Sequence, residues 1–340
     1  MAHELDFTTG QAAIAFRGAV PWHGLGETIL PEDSIDDIRI KAGLDYDVVK
    51  TPVLYSVPVD SAYGPRKGAG TGVAISTDRC VLYRSDTGDD LSVVSDRYQV
   101  VQPREIVEFY RDLVEQYGFE IEVVGALKGG RKVWALANTH NAFQLRGNDA
   151  VKGFLLLATS YDGTMATQAR FTSVRVVCNN TLTFASEQGR ANVNVPHSTK
   201  FDAEKVKLDL KVGKAWALFE EQSREMTKRI VSQDESIRFF LDVYLGLDSV
   251  DKTKEYLAQE GNEKRMDKLV ARLQTALFNS PGAHMESARG MLWGLVSAVT
   301  YDVDHQLPSR SQDTRLDKAW FGTGEALKNR AWDRALAMVA

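Results

Sequence analysis

Residues 172–184 read TSVRVVCNNTLTF, a nearly apolar stretch interrupted by one arginine and two adjacent asparagines. A charge or an amide that is buried without a partner is costly. Arg175, Asn179 and Asn180 therefore either hold a buried polar network together or contact a ligand. We predict a helix over about 172–186 that packs against a sheet, in which the two asparagines satisfy buried backbone groups and the arginine is the residue able to reach a ligand.

Upstream of this stretch, strand-like segments alternate with turns. Apolar residues alternate over 119–138 around a Gly129-Gly130 turn, and 153–160 and 165–171 are further β-rich segments separated by Asp162-Gly163. Short alternating runs bounded by glycine and aspartate are typical of antiparallel strands. This part of the chain is therefore predicted to form a β-meander.

The region before the meander is predicted to hold a hairpin and a helix. Residues 72–76 and 79–84 are apolar and β-branched, which indicates the two strands of a hairpin. A helix over 104–117 is expected because Pro103 precedes it, Gly118 follows it, and its apolar residues have helical spacing.

Downstream of residue 200 the pattern changes to helices with a period of about 3.6 residues. The fold class that follows is α+β, mainly an antiparallel β-meander with a packed helix in the N-terminal part and a helical C-terminal part. We divide the chain into an irregular acidic entry segment, an α+β core domain and a helical domain, at residues 1–50, 51–200 and 201–340. The predicted helices are 203–231, 235–245, 251–278, 283–301 and 324–338, besides a short one at 33–42 capped by Asp33 or Ser34.

Composition is that of an ordinary globular protein, with 44% hydrophobic and 26% charged residues. The net charge of −5 arises in the first fifty residues, which hold nine acidic and four basic groups. A nucleic-acid contact would therefore need a local groove. Cys80 and Cys178 sit among apolar residues, as buried thiols of a reducing compartment do. The N-terminus lacks a signal-peptide pattern and no apolar run could span a membrane, so we expect a cytoplasmic protein.

Motifs for catalysis or cofactor binding are weak, and no cofactor is predicted. The glycine-rich residues 68–72 lack the lysine of a phosphate-binding loop, and no cysteine or histidine spacing fits zinc. Asp302, Asp304 and His305 could supply a hard-metal or nuclease site. The simpler interpretation of that cluster is the capped end of a helix. Likewise, Trp22-His23 is more typical of a packed aromatic anchor than of a ligand site.

A basic and aromatic region is the best functional candidate. Cations that neutralise phosphates and aromatic rings that stack on bases bind single-stranded nucleic acid. The alternative is a solvated hairpin edge whose lysines and arginines prevent sheet aggregation. We define the basic strip as the six residues that would carry such a contact, which are Lys128, Arg131, Lys132, Trp134, Arg170 and Arg175.

Several pieces of the chain, in order, resemble a known family. They include PWHGLG at 21–26, VSDRYQVV at 94–101, the GGRKVW segment at 129–134, and VRVVCNNTL at 174–182, followed by AVTYDVDH at 298–305 and AWFG at 319–322. The chain is similar to domain of unknown function 932, a family found on phages and plasmids that includes mobile-element proteins of the YafZ and YfjQ type. The resemblance implies a mobile-element origin, and hence a role in DNA replication, recombination or conflict with a host.

Three functions are compatible with these sequence features. The first is a non-catalytic protein of DNA metabolism that binds or anneals single-stranded DNA. The order of meander and helix is similar to the core of the Rad52-like annealing proteins, which assemble into rings, so a homo-oligomer is expected by analogy. The second is an interaction or structural protein that binds a host or phage protein and has no DNA activity. The third is a metal-dependent nuclease that uses Asp302, Asp304 and His305.

Overall fold

Antiparallel sheets form most of the N-terminal part of the chain and helices form the C-terminal part, which confirms the α+β class. The structure is a computed structural model and describes residues 5–18, 25–59, 70–175, 177, 180–183, 192–210, 212–307 and 315–339. Within this part of the chain, no helix is both long enough and apolar enough to cross a membrane.

The large sheet contains eight strands, numbered here in chain order together with those of a smaller sheet. They are β1 (Ile14–Phe16), β2 (Glu27–Thr28), β6 (Glu120–Leu127), β7 (Lys132–Leu145), β8 (Asp149–Ser160), β9 (Thr167–Arg175), β10 (Asn180–Thr183) and β11 (Asn192–Val195). Their order is β10-β9-β8-β7-β6-β1-β2, and β11 also pairs with β9. Strands β6 to β9 are consecutive antiparallel neighbours, which confirms the predicted meander.

The prediction of a helix over 172–186 is wrong. Residues 172–175 continue β9, and β10 returns antiparallel beside them, with Asn180 opposite Arg175. A short apolar run can be a strand or a buried helix, and periodicity alone does not separate the two. The β-branched residues Thr172 and Val174 favour the strand, because they fit a pleated surface.

A different helical segment packs on the sheet. The predicted helix at 104–117 is present as α2 (Pro103–Glu108) and α3 (Arg111–Tyr117), and it ends at Gly118 with φ of 68°. The buried Tyr110 hydroxyl lies 2.8 Å from the carbonyl oxygen of Ala135 and 2.9 Å from that of Leu155. This residue joins the helix to the backbones of β7 and β8.

The first fifty residues contribute strands to the edge of the large sheet and one short helix. Strand β1 pairs with β6 at the edge of the meander. The short helix α1 (Ile35–Lys41) begins at Ser34, whose side chain accepts a hydrogen bond from the Asp37 backbone in a capping box. This agrees with the cap predicted there.

The smaller sheet has the order β3-β4-β5, with β3 at Val48–Val59, β4 at Gly70–Arg84 and β5 at Asp90–Ser95. The prediction of a hairpin within 72–84 is wrong, since these residues form one strand, β4. Pro52 pairs with Cys80 and Leu54 with Ile75, so the extra residues of β4 form a bulge over 76–79. A bulge re-aims the strand beyond it.

Beyond that bulge, β4 has β3 as its neighbour but not β5, which pairs only from Arg79 onward. Residues 54–59 and 70–75 thus form a two-stranded extension of the sheet, which we call the ribbon. The connection 60–69 lies outside the described residues.

The C-terminal part is built around a buried helix. It contains α4 (Ala203–Leu210), α5 (Val212–Met226), α6 (Gln233–Leu245), α7 (Val250–Leu257), α8 (Asn262–Asn279), α9 (Leu292–Tyr301), a π-helical turn (Asp302–Gln306), α10 (Arg315–Phe321) and α11 (Thr323–Val339). Helix α9 buries every residue from Leu292 to Thr300. Residues 283–291, predicted to be helical, instead form turns and a single β-bridge, and α10 was not predicted.

Candidate functional site: a buried polar network and an exposed ribbon

Arg175 is buried in an ion pair and does not face solvent. Its Nε lies 2.9 Å from both carboxylate oxygens of Asp149, and its Nη2 lies 2.8 Å from one of them. The same carboxylate accepts hydrogen bonds from the Ser287 hydroxyl at 2.6 Å and the Trp293 indole at 3.2 Å. Arg175 Nη2 also donates to the Gly282 carbonyl oxygen at 3.0 Å. The arginine therefore joins β9 to the helical part of the chain.

A second buried contact joins β10 to the helices through Asp304. The Thr181 backbone N–H donates to this carboxylate at 2.7 Å, and the Thr181 hydroxyl lies 3.1 Å from it. Lys328 Nζ, on α11, lies 2.8 Å from both the carboxylate and the hydroxyl. The contact is suited to holding the elements together.

Asp302 lies at the start of the same π-helical turn but has different partners. Its carboxylate accepts a hydrogen bond from the Tyr244 hydroxyl at 2.6 Å and lies 2.7 Å from Arg272 Nε. Burial raises the pKa of Tyr244 far above its usual range, and the charge of Asp302 adds to that shift. The neighbouring His305 is exposed, with its ring 4.7 Å from that of Tyr301.

The two aspartates proposed for a metal site thus contact separate cations. Among the residues that the structure describes, no group of three or more histidine, cysteine, aspartate or glutamate side chains is placed to hold a metal ion. We call the two aspartate contacts, with the Asp149–Arg175 pair, the buried network.

Two lysines of the basic strip share one carboxylate. Lys128 Nζ donates to Asp317 Oδ2 at 2.6 Å, and the buried Lys132 donates to Asp317 Oδ1. Burial raises the pKa of Asp317, but the hydrogen bonds from both lysines lower it by more, so the net shift is downward. Asp317 is on α10, which therefore neutralises the start of β7.

Arg170 is likewise buried, and it is paired with α11. Its guanidinium donates to Glu325 and to Gln168, and it lies 3.3 Å from the Trp320 carbonyl oxygen. Burial lowers the pKa of Arg170 and raises the pKa of Glu325. Both shifts disfavour the charged forms, as desolvation does for either sign of charge.

Trp134 completes this covered surface. Its ring is buried, with the Trp320 ring 5.2 Å away in an edge-to-face arrangement, and its indole N–H has no hydrogen-bond partner among the residues that the structure describes. Arg131 is exposed, and its Nε donates to the Leu91 carbonyl oxygen at 2.8 Å. Most of the basic strip is therefore an internal contact between the sheet and the last two helices.

The remaining predicted residues are placed as follows. Asn180 begins β10, and its backbone is the part of it that the structure describes. Trp22, His23, Cys178 and Asn179 lie outside the described residues.

The sequence reasoning missed the carboxylate partners of the strip. Asp149, Asp317 and Glu325 each pair with a strip residue that is distant in the sequence. A weak signal exists for Asp149, which stands as an isolated acid at the first position of the largely apolar strand β8.

The ribbon differs from the covered basic strip, because its aliphatic side chains are exposed. Leu54, Val73 and Ile75 are 62%, 70% and 62% exposed, and Tyr55 is 51% exposed. Leu54 lies directly opposite Ile75, and Val73 is two residues before Ile75 on β4. Side chains two residues apart on a strand point to the same side, so these three aliphatic side chains share one face.

The ribbon and the neighbouring residues 51–53 and 76–77 contain no charge. Residues 51–59 and 70–77 hold seventeen residues without an aspartate, glutamate, lysine or arginine, whereas 26% of the whole chain would give about four. An exposed segment that is uncharged and aliphatic is unusual in a protein of this composition.

A cleft of about 530 Å³ lies between α1, α3 and β6. It holds charges of both signs. Arg17 Nε lies 3.3 Å from an oxygen of Glu120 within the cleft, and Arg111, which also lines the cleft, has its Nη2 2.6 Å from an oxygen of Glu108, which does not line it. These pairs leave the described part of the cleft without a concentrated charge of one sign.

Comparison with known families agrees with the motifs. Residues 90–320 match a family model described as Domain of unknown function (DUF932), which is 231 of the 340 residues. The chain belongs to the DUF932 family. No curated protein and no solved structure matches it. The DUF932 match spans the three aspartates of the buried network, whereas the ribbon precedes it.

Proposed function

We propose that this DUF932 protein is a non-catalytic interaction protein of a phage or plasmid, and that it binds a protein partner through the ribbon. The observation that carries the proposal is the exposed face of Leu54, Val73 and Ile75 on a segment without charge. Exposed aliphatic residues that are grouped together mark contact sites, whereas scattered ones do not.

The chemistry of the ribbon favours protein over nucleic acid. Binding to nucleic acid relies on lysine and arginine at the phosphates, and residues 51–59 and 70–77 supply neither. Hydrophobic contact and strand pairing are what such a segment can offer to another chain.

The charged groups support a non-catalytic role. The carboxylates of Asp149, Asp302 and Asp304 each contact a cation of the same chain. A general acid, a general base or a metal ligand would need to reach a substrate or an ion. The buried network is instead arranged to hold the sheet and the helices together.

A photocrosslinking amino acid at position 73, in the protein expressed in its host cell, tests the proposal. We expect a covalent adduct with a second polypeptide at this position. The matched control carries the same group in place of Leu208, which is 76% exposed on α4, and should give no adduct. Equal labelling at both positions, or none at position 73, would contradict the proposal.

Single-stranded DNA binding or annealing is a second candidate, and one observation favours it. Three cations of the basic strip, Lys128, Lys132 and Arg170, are paired with carboxylates from a single segment, residues 317–325. Carboxylates at these positions stand where phosphate oxygens would be if α10 and α11 moved away. DNA binding at the strip would require that movement.

Charge removal from that segment tests the DNA hypothesis. The double variant Asp317→Asn with Glu325→Gln should bind a single-stranded oligonucleotide more tightly than the wild type in a gel shift at low salt. The control is Glu286→Gln, which removes the partner of the exposed Arg146 elsewhere on the chain. An identical result for all three proteins would exclude the hypothesis that the carboxylates of Asp317 and Glu325 mask a DNA-binding strip.

A further inference from the structure

We infer that the partner of the ribbon is a second copy of this chain, and that the two copies join along the outer edge of β4 around a two-fold axis. This inference rests on the proposed function, because it names the partner of the same surface. It follows from the chemistry of the two edges of the ribbon and from its lack of charge.

The two edges of the ribbon differ in their capacity to pair. The edge formed by β3 carries Pro58, and Pro52 lies on the same strand just before the ribbon; neither has an N–H to donate to a new strand. On the other side, residues 70–75 of β4 lie beyond the end of β5 and pair with no other strand that the structure describes.

Proteins normally protect a free strand edge with proline, charge or a bulge. In β4 the bulge over 76–79 sets the inner limit of the free edge, and residues 70–77 contain neither proline nor charge. The edge of β4 is therefore open to strand addition, and that of β3 is hindered.

The same edge is compatible with itself. In a two-fold arrangement, antiparallel pairing would set residues 70–75 of one copy beside the same residues of the other. Like charges opposite each other destabilise such a pair, and this segment has none. Val73 and Ile75 of both copies would then lie on a continuous face with Leu54.

The absence of charge also favours a second copy over a strongly charged partner. A strongly acidic or basic partner would be recognised by opposite charges, which residues 51–59 and 70–77 lack. A neutral, aliphatic and β-branched surface is complementary to another of the same kind. The ribbon itself is such a surface, even though each copy carries a net charge of −5.

The size of the ribbon sets the strength of the contact. Six residues of strand span about 20 Å, and a sheet is about 10 Å thick, so the edge of β4 offers roughly 200 Å². A stable interface buries about 800 Å² on each partner. We therefore expect a weak dimer that dissociates on dilution.

Sedimentation velocity over a wide range of protein concentration tests the inference. The wild-type full chain should shift from monomer to dimer as concentration rises. Val73→Lys with Ile75→Lys should weaken that dimer by at least about tenfold, because four lysines would meet at the pair. The control Leu208→Lys should dimerise like the wild type. A circular dichroism spectrum shows whether the double variant is folded, and Ile75→Glu alone replaces it if it is not.

The outcome separates this inference from the proposed function. A wild type that stays monomeric at every concentration, together with a photoadduct from position 73 to a different protein, would overturn the second copy and leave the interaction function standing. A monomer that gives no adduct would overturn both. An adduct of twice the mass of the chain, together with dimerisation, is the result we expect.

Discussion

The buried network and the ribbon use charge in opposite ways. In the network, Arg175 and Asp149 are almost fully buried and paired with each other, and the buried Lys328 is paired with Asp304. In the ribbon, side chains that would normally be buried are exposed and no charge is present. Arg175, Asp302 and Asp304, which the sequence pattern presents as candidate ligand contacts, are internal. The ribbon, whose apolar sequence is typical of a core strand, is on the surface.

The difference shows what buried charges do in this fold. A charge in the interior is tolerated only with a partner and with good geometry. Here each partner comes from a distant element, so an ion pair forms only when the sheet and helices are assembled correctly. The ribbon has no such partner within the described chain, and its aliphatic face is free for another molecule.

The largest effect expected is loss of the Asp149 carboxylate. Asp149→Asn leaves Arg175 buried without its counter-charge, and we expect a loss of about 3–5 kcal/mol of unfolding free energy. Urea denaturation measures it. The control Glu286→Gln breaks the Arg146 pair, whose side chains are 49% and 57% exposed, and should cost at most about 1 kcal/mol. Similar costs for the two variants would remove the contrast between buried and exposed charge.

A smaller loss is expected at the turn that packs against the base of the ribbon's sheet. Gly130 has φ of 85°, and a Cβ there would lie 2.8 Å from the Tyr46 hydroxyl and 2.9 Å from Arg84 Nη1. Gly130→Ala should therefore cost about 2–3 kcal/mol, more than the roughly 1–2 kcal/mol of left-handed strain alone.

Gly129→Ala is the matched control for that turn. Its φ of 67° imposes similar strain, but its Cβ would have no neighbour nearer than Thr8 Oγ1 at 3.9 Å. Thermal unfolding of the two variants separates strain from steric clash. Equal losses would show that the base of the ribbon's sheet is not rigidly packed on the turn.

The pH dependence of stability should sharpen the comparison further. The folded pKa of Asp317 is lowered, so the unfolded chain binds its proton more readily than the folded protein does. Its contribution is complete above the unfolded pKa of about 4 and is lost as the pH falls through the folded value. Asp317→Asn should flatten the fall in unfolding free energy in acid. Asp78→Asn, whose side chain is 74% exposed, is the control for removal of a carboxylate at the surface.

The smallest effect belongs to the ribbon. Val73→Lys and Ile75→Lys replace exposed side chains, so each should change the unfolding free energy by no more than about 0.5 kcal/mol under conditions where the protein is monomeric. Chemical denaturation at low protein concentration measures it. A large loss would mean that the aliphatic face is already covered within one chain.

Local signals predicted much of the fold. Pro103 and Gly118 marked the limits of α2 and α3, and the Gly129-Gly130 turn marked the junction of β6 and β7. These features act over a few residues, where backbone preference is strong. The 172–186 stretch failed because its apolar pattern fits either a strand or a buried helix, and the pairing of β9 with β8 and β10 decided between them.

The candidate site was less accessible to prediction. The basic strip was found by composition, but its accessibility depends on partners far along the chain. Lys132 and Asp317 are 185 residues apart, and Arg170 and Glu325 are 155 apart. The ribbon was missed because an apolar β-branched segment is normally a core strand.

The sequence by itself determined the α+β class, the DUF932 motifs and the residues with charges to satisfy, because these depend on residue type and local spacing. The tertiary structure decided which charges meet and which apolar residues stay outside. It placed Arg175 against Asp149, and it left Leu54 and Ile75 exposed. The physical reason is that desolvation and ion pairing depend on neighbours in space, and those neighbours are set only once the sheet and helices have packed.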